Sequence, residues 1–271
     1  MLGPCRGRCT PAVRITGDRL AGNEGLTPLI LGNGTNLIVR DGGVRGIVVL
    51  TARGLGRIEM DGAEATIESG ATLAALCCRC AHGGLQGIEF AAGIPGTLGG
   101  ALIMNAGANG GEIGQVVCWV EVIGYDGRVR RHDAAELDFG YRRSALRDTP
   151  GAIIRARLSF SQGDPDQVYG ALCEAMAVRC AKQPVAMPSA GSIFKRPEGD
   201  YAGRLLEEAG AKGMNVGGAM VSPKHANFVV NCGGATARDV LDLIEAARRL
   251  VEDKFGVALE PEVCVVGEDA K

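Results

Sequence analysis

The chain has 271 residues, 46% hydrophobic and 22% charged, with a net charge of −2, which suffices for a full core in one large or two smaller domains. That charge offers no electrostatic case for nucleic acid or an anionic membrane, and no run approaches the eighteen apolar residues of a bilayer span. Ten cysteines without an apolar leader in MLGPCRGRCTPAVRI point to reduced thiols, hence a cytoplasmic protein, and no metal set is expected.

Residues 1–28 mix Gly, Pro, Arg and Thr without a period, and no element is expected there. Leu29–Leu31 and Leu37–Val39 read as strands around a tight loop, Gly32-Asn33-Gly34-Thr35-Asn36. The third glycine of a dinucleotide fingerprint is missing and no helix follows, which argues against a Rossmann unit. On its own the loop is equally a pyrophosphate cradle or a plain Asn-Gly turn. Strands are expected at Gly46–Leu50 and Ala65–Glu68, then a helix from Gly70 to Ala81 closed by Gly83-Gly84. Cys77, Cys78 and Cys80 lie on that helix, with no second cluster to complete a metal set.

Gly83 to Gly114 is dense in glycine and almost uncharged, yet it carries Leu85, Ile88, Phe90, Ile94, Leu98, Leu102, Ile103 and Met104. A flexible linker would be polar. A buried loop wrapped around a ligand is the better reading, its glycines letting backbone N–H groups approach a phosphate or a flat ring. Val116–Val122 alternates as a strand, Tyr125-Asp126-Gly127 turns it, Arg128–Arg131 returns, and Ala152–Phe160 follows. This half therefore reads as short strands with one helix.

A boundary is placed at Ser161-Gln162-Gly163, dividing the chain into 1–162 and 163–271. Asp164 as N-cap, Pro165 and Gln167 open a helix, with Val168, Ala171, Leu172 and Ala175 inward and Pro184 as the stop. A second helix covers Tyr201–Ala209. The strongest runs from Thr236 to Phe255, capped by Thr236 with Asp239 and ended by Gly256. Strands fit Ala226–Val230 and Ala258–Val266.

Four features carry chemistry. Phe139-Gly140-Tyr141-Arg142-Arg143-Ser144 could fork an arginine onto a carboxylate or phosphate, although such pairs are more often surface. Pro188-Ser189-Ala190-Gly191-Ser192-Ile193-Phe194-Lys195-Arg196 projects a serine beside two cations, without a hydrolase elbow. Lys224-His225-Ala226-Asn227 is a polar ligand contact or a turn. In Leu259-Glu260-Pro261-Glu262-Val263, alternation is expected to turn one carboxylate inward, where it needs a partner.

Together LGNGTNLIV, GIEFAAGIPGTLGGALIMNAGANGGE, FGYRRS, RCAKQP, PSAGSIFKRP and LEPEV resemble bacterial UDP-N-acetylenolpyruvoylglucosamine reductases, from about Pro28 to Gly267. The gap between Arg142 and Lys182-Gln183-Pro184 suits the shorter variety, without the substrate-covering insertion. The resemblance implies an α+β fold: an FAD-binding domain of the vanillyl-alcohol-oxidase (PCMH) type, followed by a smaller C-terminal α+β substrate domain. It implies a cytoplasmic flavoprotein of peptidoglycan and cell-wall synthesis, using FAD and NADPH to reduce UDP-N-acetylglucosamine enolpyruvate to UDP-N-acetylmuramate. Its partner is the UDP-sugar, with no nucleic acid, no membrane, and a monomer as the expected state.

By motif position, the resemblance assigns FAD to Gly32, Asn33, Gly34, Thr35 and Asn36, to Ala92, Gly93, Ile94, Pro95, Gly96, Gly99 and Gly100, and to Asn105 and Gly107. Ser192 matches the proton donor, with Arg142 and Glu262 around the substrate carboxylate and Arg143 as the fallback for Arg142. Of the substrate-binding residues, Lys182 and Lys195 lie in segments placed to help the serine, by stabilising its alkoxide or relaying a proton, and Arg196 and His225, with Arg179, fall to the UDP phosphates or sugar. Residues 1–28 lack the family's Thr-Thr-rich strand and Arg-Ile-Gly-Gly ending, and Asn109 replaces a frequent tyrosine. Two other readings are an FAD-linked oxidase on the same scaffold, marked by NADPH-independent oxygen consumption, and a nucleotide-binding protein without activity, which would be colourless.

Overall fold

The computed structural model describes residues 27–270, so the expectations for 1–26 lie outside the described residues. In chain order the principal elements begin with strands β1 (Leu29–Leu31), β2 (Leu37–Val39), β3 (Val48–Leu50), β4 (Ile58–Asp61) and β5 (Glu64–Glu68). Helices α1 (Leu73–His82) and α2 (Leu98–Met104) follow, then β6 (Val117–Ile123), β7 (Val129–Asp133), β8 (Ala152–Ser159) and helix α3 (Pro165–Lys182). The last third holds β9 (Ser189–Ser192), α4 (Ala202–Ala209), β10 (Asn215–Val216), β11 (Ala219–Val221) and β12 (Phe228–Asn231). It closes with α5 (Ala237–Phe255) and β13 (Cys264–Val266).

Contacts divide the described chain into two compact units, one of residues 27–34 and 46–177, the other of 35–45 and 178–270. The junction falls inside α3, after the 162/163 boundary placed from composition, and the short segment 35–45 groups with the C-terminal residues.

The first unit is built on an antiparallel sheet of order β7-β6-β8-β5-β4. Alternation puts Ala65 and Ile67, Val120 and Val122, and Ala156 and Leu158 into the core. The edge strand β4 alternates Ile58 and Met60 with Glu59 and Asp61, but over four residues only, too short a signal to stand out in the sequence. Ile58 and Met60 pack against the core, while Asp61 and Glu64 both grip Arg157 at 2.6 Å. Helix α1 starts where Thr72 accepts the Ala75 N–H at 3.1 Å, and it buries Leu73, Leu76, Cys77 and Cys80. Burial pushes the Cys77 and Cys80 thiols up to about 12. Among the described residues no three His, Cys, Asp or Glu side chains gather as metal ligands, and no helix is long and apolar enough to cross a membrane.

The glycine-dense stretch is not wholly a loop. Its centre is the helix α2, which burial of Leu98, Ala101 and Leu102 holds against the glycine penalty. Leu98 N–H donates to Ala71 O at 2.8 Å and Gly99 N–H to Ser69 O at 2.7 Å. A Cβ on Gly99 would come within 3.0 Å of the Ser69 Cβ, so the glycine permits this approach.

The second unit has a four-stranded sheet of order β9-β12-β11-β10, with α4 and α5 sharing its core. Leu205, Leu206, Leu243, Ala247 and Val251 are buried together with Ile193, Phe194, Val221 and Val229. The Thr236–Asp239 capping box starts α5 and Gly256, at φ 68°, ends it. The segment 35–45 is bound in by β2 pairing parallel with β13, and by the Asp41 carboxylate, which accepts the Ala237 and Arg238 N–H groups at 2.8 and 3.0 Å.

Three details depart from the expected pattern. On α3 only Val168 is fully buried and Ala171 is exposed, because a single stripe of this helix meets the core. The last strand is Cys264–Val266, so Glu260 and Glu262 precede it. They are two residues apart and share a face, so alternation cannot separate them: Leu259 and Val263 take the buried positions, Glu262 is half-buried and Glu260 exposed.

Candidate active site

In the first unit, the glycine loop and the helix α2 entry meet. Asn33 Nδ2 donates to Pro95 O at 3.1 Å. A Cβ on Gly32 would lie 2.2 Å from Thr97 Oγ1, so only glycine fits there. Around them, Gly93 takes φ 74°, Ile94 N–H donates to Ala91 O at 3.0 Å, and Gly96 O accepts the Leu73 N–H at 3.1 Å. The Ser69 and Thr97 hydroxyls are buried at 1% exposure each, and neither has a hydrogen-bond partner among the described residues. Ser69 lines a cavity with Ile30, Gly32, Gly99, Gly100 and Ile103. A buried hydroxyl without a partner costs free energy, so this cavity is built to receive polar atoms. Neither hydroxyl was singled out in the sequence, where Ser and Thr are too common to stand out.

Asn105 and Gly107 also hold the turn that carries Arg142. Asn105, fully buried in a left-handed conformation at φ 41°, donates from Nδ2 to Gly140 O and accepts the Gly114 N–H on Oδ1, each at 2.9 Å. Gly107 O accepts from Arg142 Nη2 at 3.2 Å. Arg142 is itself left-handed at φ 54°, between Gly140 and Arg143, whose backbones exchange two hydrogen bonds at 3.0 Å. A non-glycine residue is held there only when its surroundings over-determine it. The 105–107 corner and Ser144, whose hydroxyl donates to Ile103 O at 2.9 Å, supply that support. Arg142 also lies 5.2 Å over the Tyr141 ring, whereas Arg143 turns to Asp138 at 3.0 Å.

In the second unit, β9 brings Ser192 beside the LEPEV segment. The register with β12 shifts between Ser189 and Ser192, and Gly191 at φ 79° makes the bulge that re-aims the serine. Beyond it, Ile193 N–H donates to Asn227 O at 2.9 Å and Ile193 O accepts the Glu262 N–H at 2.7 Å. Ser192 and Glu262 thus occupy adjacent stretches of backbone. Asn36 Nδ2 donates to Glu262 O at 3.2 Å, and Thr35 O comes close to the Gly191 position. The glycine loop is therefore shared: Gly32, Asn33 and Gly34 belong to the first unit, Thr35 and Asn36 to the second.

The cations of this unit have separate engagements. Lys195 Nζ pairs with Glu260 Oε1 at 2.5 Å, and Arg196 lies 5.9 Å over the Tyr201 ring. Lys182, the last residue of α3, is exposed. His225 is half-buried, edge-on to Phe228 at 5.0 Å, and its Nδ1 accepts the Asn227 N–H at 3.2 Å. Burial, with Lys212 nearby, holds its imidazole below the ordinary value, so it is neutral at pH 7. Asn227, 6% exposed, donates from Nδ2 to Ser192 Oγ and to Phe194 O, each at 2.8 Å, and accepts the Phe194 N–H at 3.0 Å. Nothing in the linear order, 35 residues from Ser192, marks it as that serine's partner.

Comparison with known proteins adds five findings. The family model described as FAD binding domain matches residues 19–133, and that described as UDP-N-acetylenolpyruvoylglucosamine reductase, C-terminal domain, matches 183–266. The chain is 47% identical to UDP-N-acetylenolpyruvoylglucosamine reductase 2 of Symbiobacterium thermophilum, over 93% of this chain and 82% of that protein. It is 46% identical to the reductase of Pediococcus pentosaceus, over 90% and 81%. The crystal structure of the Thermus caldophilus reductase superposes with a TM-score of 0.77 at 37% identity, covering 89% of this chain and 86% of that one.

Proposed function

Because the chain belongs to the UDP-N-acetylenolpyruvoylglucosamine reductase family, we propose that it reduces the enolpyruvyl ether of UDP-N-acetylglucosamine to UDP-N-acetylmuramate with FAD and NADPH. It is an FAD-dependent oxidoreductase of the shorter variety, with an FAD-binding domain ahead of a smaller α+β domain. We take it to act in the cytoplasm as a monomer, on a UDP-sugar and on no nucleic acid. The observation that carries the reading is the bond from the Glu262 N–H to the residue that follows Ser192, on a unit matching the reductase's own C-terminal domain.

The residues present fit the cofactor. Two buried hydroxyls without partners among the described residues, Ser69 and Thr97, stand where Gly32 and Gly99 let backbone approach closely, which suits phosphate and ribose oxygens. Gly32–Asn36 and Ala92–Gly100 would hold the dinucleotide, with Asn105 and Gly107 near the flavin, where they also support the turn that carries Arg142. When bound, FAD recharged by NADPH supplies the hydride that the methylene carbon takes.

The chain's own residues handle the charge and the proton. Arg142 is assigned to the substrate carboxylate, where a guanidinium fork stabilises the negative charge that spreads onto it as the adjacent carbon becomes an enolate. Glu262 orients the same end of the substrate. Ser192 gives its hydroxyl proton to the enolate carbon: the O–H bond breaks, a C–H bond forms, and the serine oxygen regains a proton from water. A free serine is a very weak acid, so its surroundings must stabilise the oxygen as the proton leaves. Lys182, Lys195, Arg196 and His225 are assigned to the diphosphate and sugar, Lys195 sharing its charge with Glu260.

An absorbance scan tests this reading. The purified protein should be yellow or become so with FAD, bleach with NADPH, and recolour when the enolpyruvyl substrate is added. Ser192→Ala should bleach normally and fail to recolour. Protein that stays colourless with FAD would leave only nucleotide binding, and oxygen uptake without NADPH would indicate an oxidase instead.

A further inference from the structure

Asn227 is the most heavily bonded polar side chain near Ser192, and its bonds fix its orientation. Its Oδ1 accepts the Phe194 N–H at 3.0 Å and its Nδ2 donates to Phe194 O at 2.8 Å. Reversing the amide would set a donor against a donor and an acceptor against an acceptor, so only one arrangement satisfies both. The second hydrogen on Nδ2 then goes to Ser192 Oγ at 2.8 Å. The His225 ring fixes the Asn227 backbone from the other side, Nδ1 accepting its N–H at 3.2 Å.

An amide NH2 can only donate, so Ser192 Oγ is an acceptor in this bond and its own hydrogen must point elsewhere. We propose that Asn227 is a positioning residue that makes Ser192 a one-way proton donor, by occupying an oxygen lone pair and leaving the O–H directed away from the sheet. The inference rests on the reading of Ser192 as the donor. The same bond also acts during proton loss. As the hydroxyl proton leaves, negative charge grows on Oγ and the bond from Nδ2 becomes charge-assisted, hence stronger in the transition state than before it. Asn227 thereby supplies part of the stabilisation that an isolated serine lacks, and it does so from a buried, preorganised position that needs no rearrangement.

The test is a double-mutant cycle on the two half-reactions of the FAD-loaded enzyme. Bleaching by NADPH should be unchanged in Asn227→Ala, Ser192→Ala and the double variant. Recolouring by the enolpyruvyl substrate should slow roughly 10- to 100-fold in Asn227→Ala, as for loss of one hydrogen bond to a charged group, more in Ser192→Ala, and no further in the double variant. Asn227→Asp keeps the acceptor for the Phe194 N–H yet offers Ser192 only acceptors, so the hydroxyl turns round. It should lose recolouring at least as severely as Asn227→Ala, with the affinity for UDP-N-acetylmuramate within twofold of the parent, and it serves if the alanine variant does not fold. Losses that multiply in the double variant, or an Asn227→Asp enzyme that recolours at the parent rate, overturn the assignment to Asn227 and leave the Ser192 reading standing. Recolouring unaffected by Ser192→Ala overturns that reading, and the role of Asn227 with it.

Discussion

Ser69 offers a perturbation whose sign reverses between the free and the loaded protein. Its Oγ is buried with no hydrogen-bond partner among the described residues and borders the glycine cavity. Ser69→Ala removes this oxygen and nothing else, leaving the Ser69 carbonyl free to keep the Gly99 N–H at 2.7 Å. Burying an unpaired hydroxyl costs about 1–3 kcal/mol, so the flavin-free variant should be more stable by at least ~1 kcal/mol. For a unit of this size that raises Tm by roughly 2–4 °C. Bound FAD gives the hydroxyl its partner, and losing that bond costs about 1.4 kcal/mol, or tenfold in Kd. Scanning calorimetry on flavin-free protein and fluorescence titration with FAD read the two effects separately. The FAD-induced rise in Tm should shrink as the flavin-free Tm grows. A flavin-free variant that melts lower than the parent, or one with unchanged FAD affinity, would refute the view of Ser69 as a donor waiting for the cofactor.

Three further outcomes follow from described geometry. Gly32→Ala puts a methyl 2.2 Å from Thr97 Oγ1 and should raise the FAD Kd tenfold or more, with Thr97→Ala in the same chain recovering part of it in the same titration. His225 is held below the ordinary imidazole value by burial, so unfolding lets it take up a proton. Its contribution to stability is complete above the ordinary value and falls as pH drops from there through the lower folded value; Tm measured from pH 8 to 5 should decline less in His225→Phe. Burial pushes Cys77 and Cys80 to about 12 while Cys78, Cys173 and Cys232 are exposed. Mass spectrometry after brief alkylation at pH 8 should find the exposed three modified and the buried two intact until denaturant is added.

How much of this was legible in the sequence depends on the range of the forces involved. Helices α4 and α5 could be read because Gly210, Thr236, Asp239 and Gly256 mark their ends locally and the apolar period is unbroken. Helix α2 was not, because Gly99 and Gly100 signal a loop while the compensation comes from Ser69 and Ala71, distant in the chain. Strand β4 escaped notice because its alternation spans only four residues, and the pairing of its Asp61 with Arg157 on another strand appears only in the fold. At the candidate site the motifs picked out Ser192, Glu262 and Arg142. The bond from Asn227, the left-handed backbone of Arg142 and the unpaired Ser69 hydroxyl exist only once the chain has folded.

The grouping of residues 35–45 with the C-terminal unit bears on how this polypeptide is made. Asn36 reaches a partner 226 residues later and Asp41 one 196 residues later. On a ribosome adding about 5–20 residues per second, β2 waits on the order of ten seconds or more, its edge unpaired, for the strand that completes it. A contiguous fragment beginning at α3 would lack the strand that pairs its own tail and the carboxylate that accepts the first N–H groups of α5.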